Sequence, residues 1–267
     1  MPANRLARLV SREALDGAYS LLTFAHPEVA HETQAGQFVM IKAGTSPEPP
    51  LRRPFSIMTV DREAGTFQLF LKEVGPGSRA LCALGEGDPA LCLGPLGRPF
   101  VAPSAGVEAL LVAGGYGIAP FHLFVDALAA SRVSARVFYG GRTRGDLQAR
   151  SSFGPRGVPV VEATEDGSLG YRGRVTGALE AYLDAGEGKK ALYACGPEGM
   201  LHAVARVAEG RGLPCQVSLD PWMGCGVGTC LSCVVTIRRE GRTRYRPACT
   251  EGPVFDAAAV VWPGDPA

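Results

Sequence analysis

Ala109-Leu110-Leu111-Val112-Ala113-Gly114-Gly115-Tyr116-Gly117-Ile118-Ala119-Pro120 is the stretch that decides the fold of this chain. Five apolar residues in a row followed by a glycine pair read as a buried strand that ends in a tight turn. An apolar helix over about Pro120 to Ala130 comes next. Strand, turn and helix in this order are the setting of a dinucleotide-binding turn, although the glycines are not spaced G-x-G-x-x-G. The alternation then continues. Strands are expected at Ala135 to Tyr139, Val158 to Ala163 and Ala191 to Ala194, with helices near Thr176 to Leu183 and Gly199 to Gly210. Strands alternating with helices predict a doubly wound parallel sheet, here over residues 103–214. Tyr139-Gly140-Gly141-Arg142-Thr143, Thr164-Glu165-Asp166-Gly167-Ser168 and Cys195-Gly196-Pro197-Glu198 fall at the ends of its later strands, where such sheets bind ligands.

Upstream, residues 1–102 read differently. Gln37 to Lys42, Phe55 to Val60 and Thr66 to Lys72 are short, rich in aliphatic and aromatic residues, and bounded by Gly or Pro. Several such strands at close spacing predict a small antiparallel β-barrel. Gly44 to Pro50 holds three prolines and is expected to be a loop. Downstream, from Cys215 to the end (215–267), the text changes again. A Gly/Cys-rich loop leads to Val234-Val235-Thr236-Ile237 and a charged turn, Arg238 to Arg246. The expected architecture is thus an α+β multidomain protein of three modules, in keeping with 267 residues, more than one core usually holds.

The third module carries the sharpest chemical signal, Cys225-Gly226-Val227-Gly228-Thr229-Cys230-Leu231-Ser232-Cys233, with Cys249 further on. Four residues separate the first pair and two the second, the plant-type spacing for a 2Fe-2S cluster. Gly224, Gly226 and Gly228 let the backbone curl and aim N–H groups at the sulfurs. A structural zinc site, the alternative, usually pairs its ligands as two short hooks, whereas here three cysteines share one loop. Cys82, Cys92 and Cys215 read as small buried hydrophobes. His26, His31, His122 and His202 show no ligand spacing and are expected on the surface or in helices.

Charge excludes other classes. The 27 basic and 26 acidic residues leave a formal charge of +1, so neither nucleic acid nor an anionic membrane finds a footprint in the totals. No apolar run approaches the roughly 20 residues of a membrane span. Met1 to Arg8 lacks the apolar stretch of a secretory signal, which places the chain in the cytoplasm and argues against disulfides.

Arg53-Pro54-Phe55-Ser56 matches the R-x-[YF]-S pattern of ferredoxin-reductase-type flavoproteins. In that pattern the arginine pairs with the flavin pyrophosphate, where a guanidinium fork suits the oxygens. The aromatic residue packs on the isoalloxazine and Ser56 sits near its reactive nitrogen. Phe70-Leu71-Lys72 and Gly75-Pro76-Gly77-Ser78-Arg79 resemble the second flavin stretch, with Gly77 and Ser78 offering N–H and hydroxyl donors to the pyrophosphate. Gly94-Pro95-Leu96-Gly97 is a further match that closes the barrel. Gly114, Gly115 and Gly117 resemble the reductase-family turn G-G-G-x-G-x-x-P, with Ala113 in place of the first glycine.

The chain as a whole resembles the electron-transfer subunits of NAD-linked, type B dihydroorotate dehydrogenase. The residues that carry the resemblance are Arg53 to Ser56, Gly77-Ser78, Thr164 to Ser168, Cys195-Gly196-Pro197, the cysteine loop, and Cys249-Thr250-Glu251-Gly252-Pro253-Val254-Phe255. The last is the most discriminating. The resemblance implies an FAD barrel, a nicotinamide domain with Cys195 near the nicotinamide, and a 2Fe-2S segment ligated by Cys225, Cys230, Cys233 and Cys249. It also implies a partner, an FMN-containing catalytic subunit, in a heterotetramer of two of each. Electrons pass in that family from FMN through the cluster and FAD to NAD, with pyrimidine biosynthesis as the setting. The residues alone leave NAD against NADP open, since Glu165 and Asp166 suit ribose hydroxyls while Arg142 and Arg144 lie on a neighbouring strand end. The nearest rival is another flavin and 2Fe-2S reductase subunit, of the NADH-dependent ferredoxin:NADP oxidoreductase or sulfide dehydrogenase type. Those proteins carry an aspartate at the first cluster ligand, where this chain has Cys225. A zinc-stapled binding module is the rival from outside the enzymes.

Overall fold

Period-two alternation builds the first module. In Thr66–Lys72, Phe67, Leu69 and Leu71 point into one core while Phe70 points out into a second. The computed structural model describes residues 5–44 and 51–264, so the proline-rich loop lies, apart from Gly44, outside the described residues. Six strands close into an antiparallel barrel in the order β1-β2-β5-β4-β3-β6. They are β1 (Arg5–Ala14), β2 (Tyr19–Ala25), β3 (Phe38–Ala43), β4 (Arg53–Asp61), β5 (Thr66–Lys72) and β6 (Pro89–Leu96). Two short helices, α1 (Pro27–Glu32) and α2 (Pro76–Cys82), cover its ends. Leu9, Leu22, Phe24, Val39, Ile41 and Ile57 fill the interior, as small barrels require.

The second module is the doubly wound sheet. Its strands are β7 (Glu108–Gly114), β8 (Ala135–Gly141), β9 (Val160–Thr164), β10 (Tyr171–Arg172), β11 (Lys190–Cys195) and β12 (Cys215–Ser218), all parallel, with antiparallel β15 (Val254–Asp256) at one edge. The spatial order is β10-β9-β8-β7-β11-β12-β15. Helix α3 (Ala119–Ala130) packs Phe121, Phe124 and Leu128 between this sheet and the barrel. Helices α4 (Val175–Ala185) and α5 (Glu198–Gly210) pack Leu179, Leu201 and Val204 on the other face. From β7 the chain winds first toward β10, then returns to β11 on the opposite side. The switch point of the sheet therefore lies between β7 and β11.

The third module leaves this sheet at β12 and rejoins it at β15. Between them stand the cysteine loop, the hairpin of β13 (Val234–Arg239) and β14 (Arg242–Pro247), and the short α6 (Ala248–Glu251).

Three expectations change. Arg238 to Arg246 is no extended turn: the turn is Glu240-Gly241, both with positive φ (54° and 71°), and Arg242 onward is a strand. Two residues with positive φ are what a tight hairpin needs. Cys215 opens a strand rather than the glycine-rich loop, so the parallel sheet runs past residue 214. The strand expected from Val158 starts at Val160. Cys82, Cys92 and Cys215 are buried, as expected of small hydrophobes. His31, His122 and His202 lie in helices, whereas His26 is buried and caps α1, its Nδ1 accepting from the Val29 N–H at 3.4 Å.

Candidate functional site

The cysteine loop folds as a cage of backbone donors. Cys225 Sγ accepts from the Val227 N–H at 3.4 Å and Cys249 Sγ from the Gly228 N–H at 3.2 Å. Gly226 and Gly228 have φ of +77° and +80°, the left-handed region that lets the loop turn back on itself. Among the described residues, no three or more His, Cys, Asp or Glu side chains are arranged around one ion. The thiols come as two pairs, Cys225 beside Cys230 and Cys233 beside Cys249. Two pairs suit a binuclear cluster, with two ligands for each iron.

Electrostatics inside the loop are uneven. Burial pushes the Cys249 thiol up to about 12, and neighbouring Cys233 adds to the rise. A bound cation removes that cost of ionising crowded thiols. Cys225 is instead held near about 6: burial raises it, but the Thr229 hydroxyl and the Val227 and Cys230 N–H groups stabilise its thiolate more. Ser232 Oγ accepts from the Gly224 N–H at 3.0 Å and lies 3.2 Å from Cys230 Sγ. Thr229 and Ser232 escaped the sequence reading, and their only signal is a small hydroxyl beside a ligand cysteine. Cys233 and Cys249 are buried, Cys225 is half-buried, and Cys230 faces solvent.

On the barrel, Arg53 and Gly77 are brought together. A Cβ on Gly77 would stand 2.9 Å from Arg53 Cγ, so glycine is what lets the arginine lie across the start of α2. Arg53 Nη1 donates to the Leu51 and Arg52 carbonyls at 3.0 and 3.2 Å. Pro54, Phe55 and Ser56 are half-buried along β4, with Phe55 against the barrel core. The Ser78 hydroxyl accepts from the Val74 and Gly75 N–H groups at 3.0 and 3.1 Å and donates to the Gly75 carbonyl at 3.1 Å, so it holds its own loop at the start of α2. Leu71 is buried inside the barrel. Phe70 stacks on Tyr19 (5.2 Å between centroids, 12° between planes) at the boundary with the sheet.

Lys72 reaches across that boundary. Its Nζ lies 3.0 Å from Asp146 Oδ1 and 4.7 Å from the centre of the Tyr19 ring. The other carboxylate oxygen of Asp146 accepts from the Arg142 and Thr143 N–H groups at 3.2 and 3.4 Å. Lys72 thus ties the barrel to the loop after β8. Tyr19 and Asp146 are partners that no motif announced.

At the switch point, the loops after β7 and β11 touch backbone to backbone. A Cβ on Gly117 would stand 2.3 Å from the Cys195 carbonyl oxygen, and one on Gly114 2.7 Å from Pro197 Cδ. Gly196, at φ +155°, would meet Gly114 N at 2.9 Å. Gly115 takes φ +54°, and the next residue, Tyr116, is exposed. The Cys195 thiol is buried there and pushed up to about 12, by burial first and then by the Asp220 carboxylate, against a hydrogen bond with Ser218. It is a neutral thiol. The loops after β8 and β9 are also joined, because the Arg144 N–H donates to Ser168 Oγ at 2.8 Å and Ser168 Oγ donates to Asp166 at 2.6 Å.

Residues 220–261 match the family model of the iron–sulfur cluster binding domain of dihydroorotate dehydrogenase B, and residues 111–206 match that of the oxidoreductase NAD-binding domain. The chain is 38% identical over 242 residues to the electron transfer subunit of dihydroorotate dehydrogenase B (NAD(+)) of Desulforamulus reducens, covering 90% of this chain and 92% of that one. It belongs to the family of dihydroorotate dehydrogenase B electron-transfer subunits. The subunit of Geobacillus thermodenitrificans is equally similar, 38% identical over 242 residues, with 90% of this chain and 91% of the relative covered. Among solved structures, an NADH-dependent reduced ferredoxin-NADP oxidoreductase studied for flavin-based electron bifurcation aligns with a TM-score of 0.86 at 30% identity, over 98% of this chain and 92% of that one. A ferredoxin reductase of carbazole 1,9a-dioxygenase shares the fold, with a TM-score of 0.69 at 23% identity over 79% and 67% of the two chains.

The chain is therefore an oxidoreductase subunit of the dihydroorotate dehydrogenase B type, and its cofactors are FAD, a 2Fe-2S cluster and NAD. The paired thiols and the glycine cradle suit the cluster. As members of this family are named electron-transfer subunits of a dehydrogenase, a separate catalytic subunit is its partner. No helix among the described residues is long and apolar enough to cross a membrane.

Proposed function

We propose that this chain receives electrons from the FMN of a dihydroorotate dehydrogenase catalytic subunit at Cys225, Cys230, Cys233 and Cys249, and delivers them to NAD at the switch point between β7 and β11. The observation that carries this reading is the seat of the cluster loop. Gly226 rests on the barrel so closely that a Cβ would stand 2.7 Å from Met40 Cγ. Met40 is the ladder partner of Pro54, and Phe38 that of Ser56, both within the flavin motif. Strands in a sheet lie about 4.8 Å apart, so the cluster loop and the flavin motif are separated by little more than one strand. FAD, when bound, supplies the conversion between single electrons and a hydride.

The chain's own residues position and exclude. Arg53 would hold the pyrophosphate through its guanidinium, with Gly77 leaving the backbone approachable. Phe55 and Ser56 would flank the flavin ring, with Leu71 packed inside the barrel and Phe70 on the opposite face of its strand against Tyr19. Lys72 holds the barrel against the nicotinamide loops beside the flavin stretch to which its motif assigns it. Gly114, Gly115, Gly117, Gly196 and Pro197 shape a floor without side chains for the nicotinamide half of NAD. The neutral Cys195 thiol borders it without adding charge. Glu165 and Asp166 take the ribose hydroxyls, with Asp166 locked by Ser168. Residues 1–102, 103–214 and 215–267 act as flavin, nicotinamide and cluster modules, two copies of the chain assemble with two catalytic subunits, and the cytoplasm is where they work.

Replacing Cys230 with Ser tests the assignment. NADH oxidation by an artificial dye needs only the barrel and the switch point, so much of that activity should remain while dihydroorotate-dependent NAD reduction with the partner is abolished. FAD content must be intact, since losing a cluster can loosen a fold. A coupled rate that persists without the cluster spectrum refutes the route.

A further inference from the structure

The hairpin β13–β14 joins the third cluster ligand to the fourth: Val234 follows Cys233, and Pro247 and Ala248 precede Cys249. Residues 238–246 hold five arginines and one glutamate, a local charge of +4 on a chain whose formal total is +1. In the ladder Arg239 faces Arg242, and Ile237 faces Arg244. Period-two alternation therefore puts Arg239, Arg242 and Arg244 on one face of the ribbon. Like charges directly opposite each other destabilise a strand pair, so this arrangement costs the fold. Arg246 is paired with Glu251 at 2.9 Å, but among the described residues the side chains of Arg239, Arg242 and Arg244 have no hydrogen-bond or ion-pair partner. All three are exposed.

The cluster loop itself exposes apolar side chains: Leu231 is 62% exposed and Val227 42% in the stretch that carries the solvent-facing Cys230, and Trp222, just ahead of that loop in the sequence, is 92% exposed. Exposed apolar side chains and unneutralised charge on one short segment are what a protein docking surface is made of, and in such a surface an exposed tryptophan is a natural anchor. We propose that Arg239, Arg242 and Arg244 form an electrostatic docking arm that captures an acidic surface of the protein that donates electrons to this chain. The inference rests on the proposed function and identifies the chemistry of that partner. Because both ends of the hairpin are rooted at cluster ligands, whatever grips the arm is held in register with Cys230. Charge of this kind acts on encounter more than on the lifetime of the complex.

The test measures association of the intact chain with the FMN-containing catalytic subunit by stopped flow, from about 20 to about 300 mM salt. The wild-type rate should fall roughly tenfold or more over that range, and the triple variant Arg239→Gln, Arg242→Gln, Arg244→Gln should associate about tenfold more slowly at low salt with a shallower salt slope. Dissociation should change by less than about twofold, NADH-dependent dye reduction should be unchanged, and the triple Arg→Lys variant should recover most of the rate. A triple Gln variant with the wild-type rate and slope overturns the arm while leaving the proposed function standing. A wild-type chain that does not bind the subunit overturns both. A duplex oligonucleotide or phosphatidylserine vesicles binding the wild type but not the triple variant, with subunit association unaffected, would give the arm another occupant and overturn the proposal.

Discussion

Replacing Gly117 with alanine is the sharpest test of how the nicotinamide site is built. The added methyl would stand 2.3 Å from the Cys195 carbonyl oxygen, 2.6 Å from the Cys195 carbonyl carbon and 2.8 Å from Gly196 Cα. All three are backbone atoms, so no side chain can swing away. Relief requires the loops after β7 and β11 to part by about 1 Å, and overpacking of this kind typically costs ~1–3 kcal/mol. If the shift falls on the loops that hold the dinucleotide, NADH should bind ~5- to 150-fold more weakly, at 1.4 kcal/mol per factor of ten. None of the three atoms belongs to the barrel or the cysteine loop, so flavin content and the cluster spectrum should stay at wild-type values. The assay is NADH titration of the purified subunit, followed by the KM of dye reduction. Gly199 in α5 supplies the control, since nothing lies within 4 Å of its added Cβ. Gly199→Ala should leave NADH affinity unchanged and stabilise the chain by ~0.4–1 kcal/mol through the unfolded state. Wild-type KM and affinity in Gly117→Ala would refute the view that the two loops form one rigid floor.

Other perturbations separate the remaining parts. Arg53→Ala removes a charge-assisted contact of ~1.5–3 kcal/mol and should weaken FAD retention ~10- to 100-fold on dialysis, with iron content unchanged. Gly226→Ala forces a left-handed φ of +77° on a side chain that would also meet Met40 Cγ at 2.7 Å, and should lower the iron per chain while FAD remains. Asp146→Asn breaks the tie to Lys72. The Asp146 carboxyl is held below its ordinary value because the Lys72 contact and the Arg142 and Thr143 N–H groups outweigh the opposing effect of burial. A depressed carboxyl stabilises the fold above its unfolded value and loses that contribution as pH falls through the folded one. With both side chains partly exposed the pair is worth ~0.5–1 kcal/mol, so the stability gap between wild type and variant should be constant from about pH 5 to about pH 10, vanish in stronger acid, and close again in alkali as Lys72, which Asp146 holds above its ordinary value, loses its proton.

The parts legible in the sequence are those whose chemistry is local. Thr66 to Lys72 is a strand with the expected bounds, and Ala109 to Ala113 a strand one residue longer at each end, because their apolar pattern is written within a few residues. The iron–sulfur character of the third module was legible for the same reason, three cysteines standing within one short loop. What depends on remote partners was not. Tyr19 gains its place from Phe70 and from Asp146, 127 positions away. Lys72 looked like part of a flavin stretch and is held by a loop of another module. The local backbone partners of the Ser78 hydroxyl were not legible either, since residue type alone does not say which groups a hydroxyl meets. The strand Arg242–Pro247 was hidden because three of its six residues are arginines, and a charged run reads as a turn until a ladder partner is known.

The course of the chain explains why the cluster segment can be loop-like and still hold its cofactor in place. β12 and β15 pair antiparallel, with Ser218 opposite Val254 and Val217 opposite Phe255, so both ends of the segment are pinned at the same edge of the nicotinamide sheet. The discriminating run Glu251 to Phe255 is this second anchor. Gly252 turns there with no room for a methyl, since a Cβ would meet Phe255 Cε2 at 2.2 Å, and the Leu219 N–H donates to the Pro253 carbonyl at 2.9 Å. Cys233, Cys249, Met223 and Trp262 then share one core with Phe38, Met40, Leu93 and Leu96 of the barrel and with Leu192 and Val217 of the sheet. A segment clamped at its ends and packed on both neighbours cannot drift relative to either. Electron transfer depends steeply on distance, and this packing holds the ligands at a set depth from the flavin strand. Of the four clustered cysteines Cys230 alone is fully exposed, so it and the neighbouring exposed Leu231 are what a partner meets first from outside.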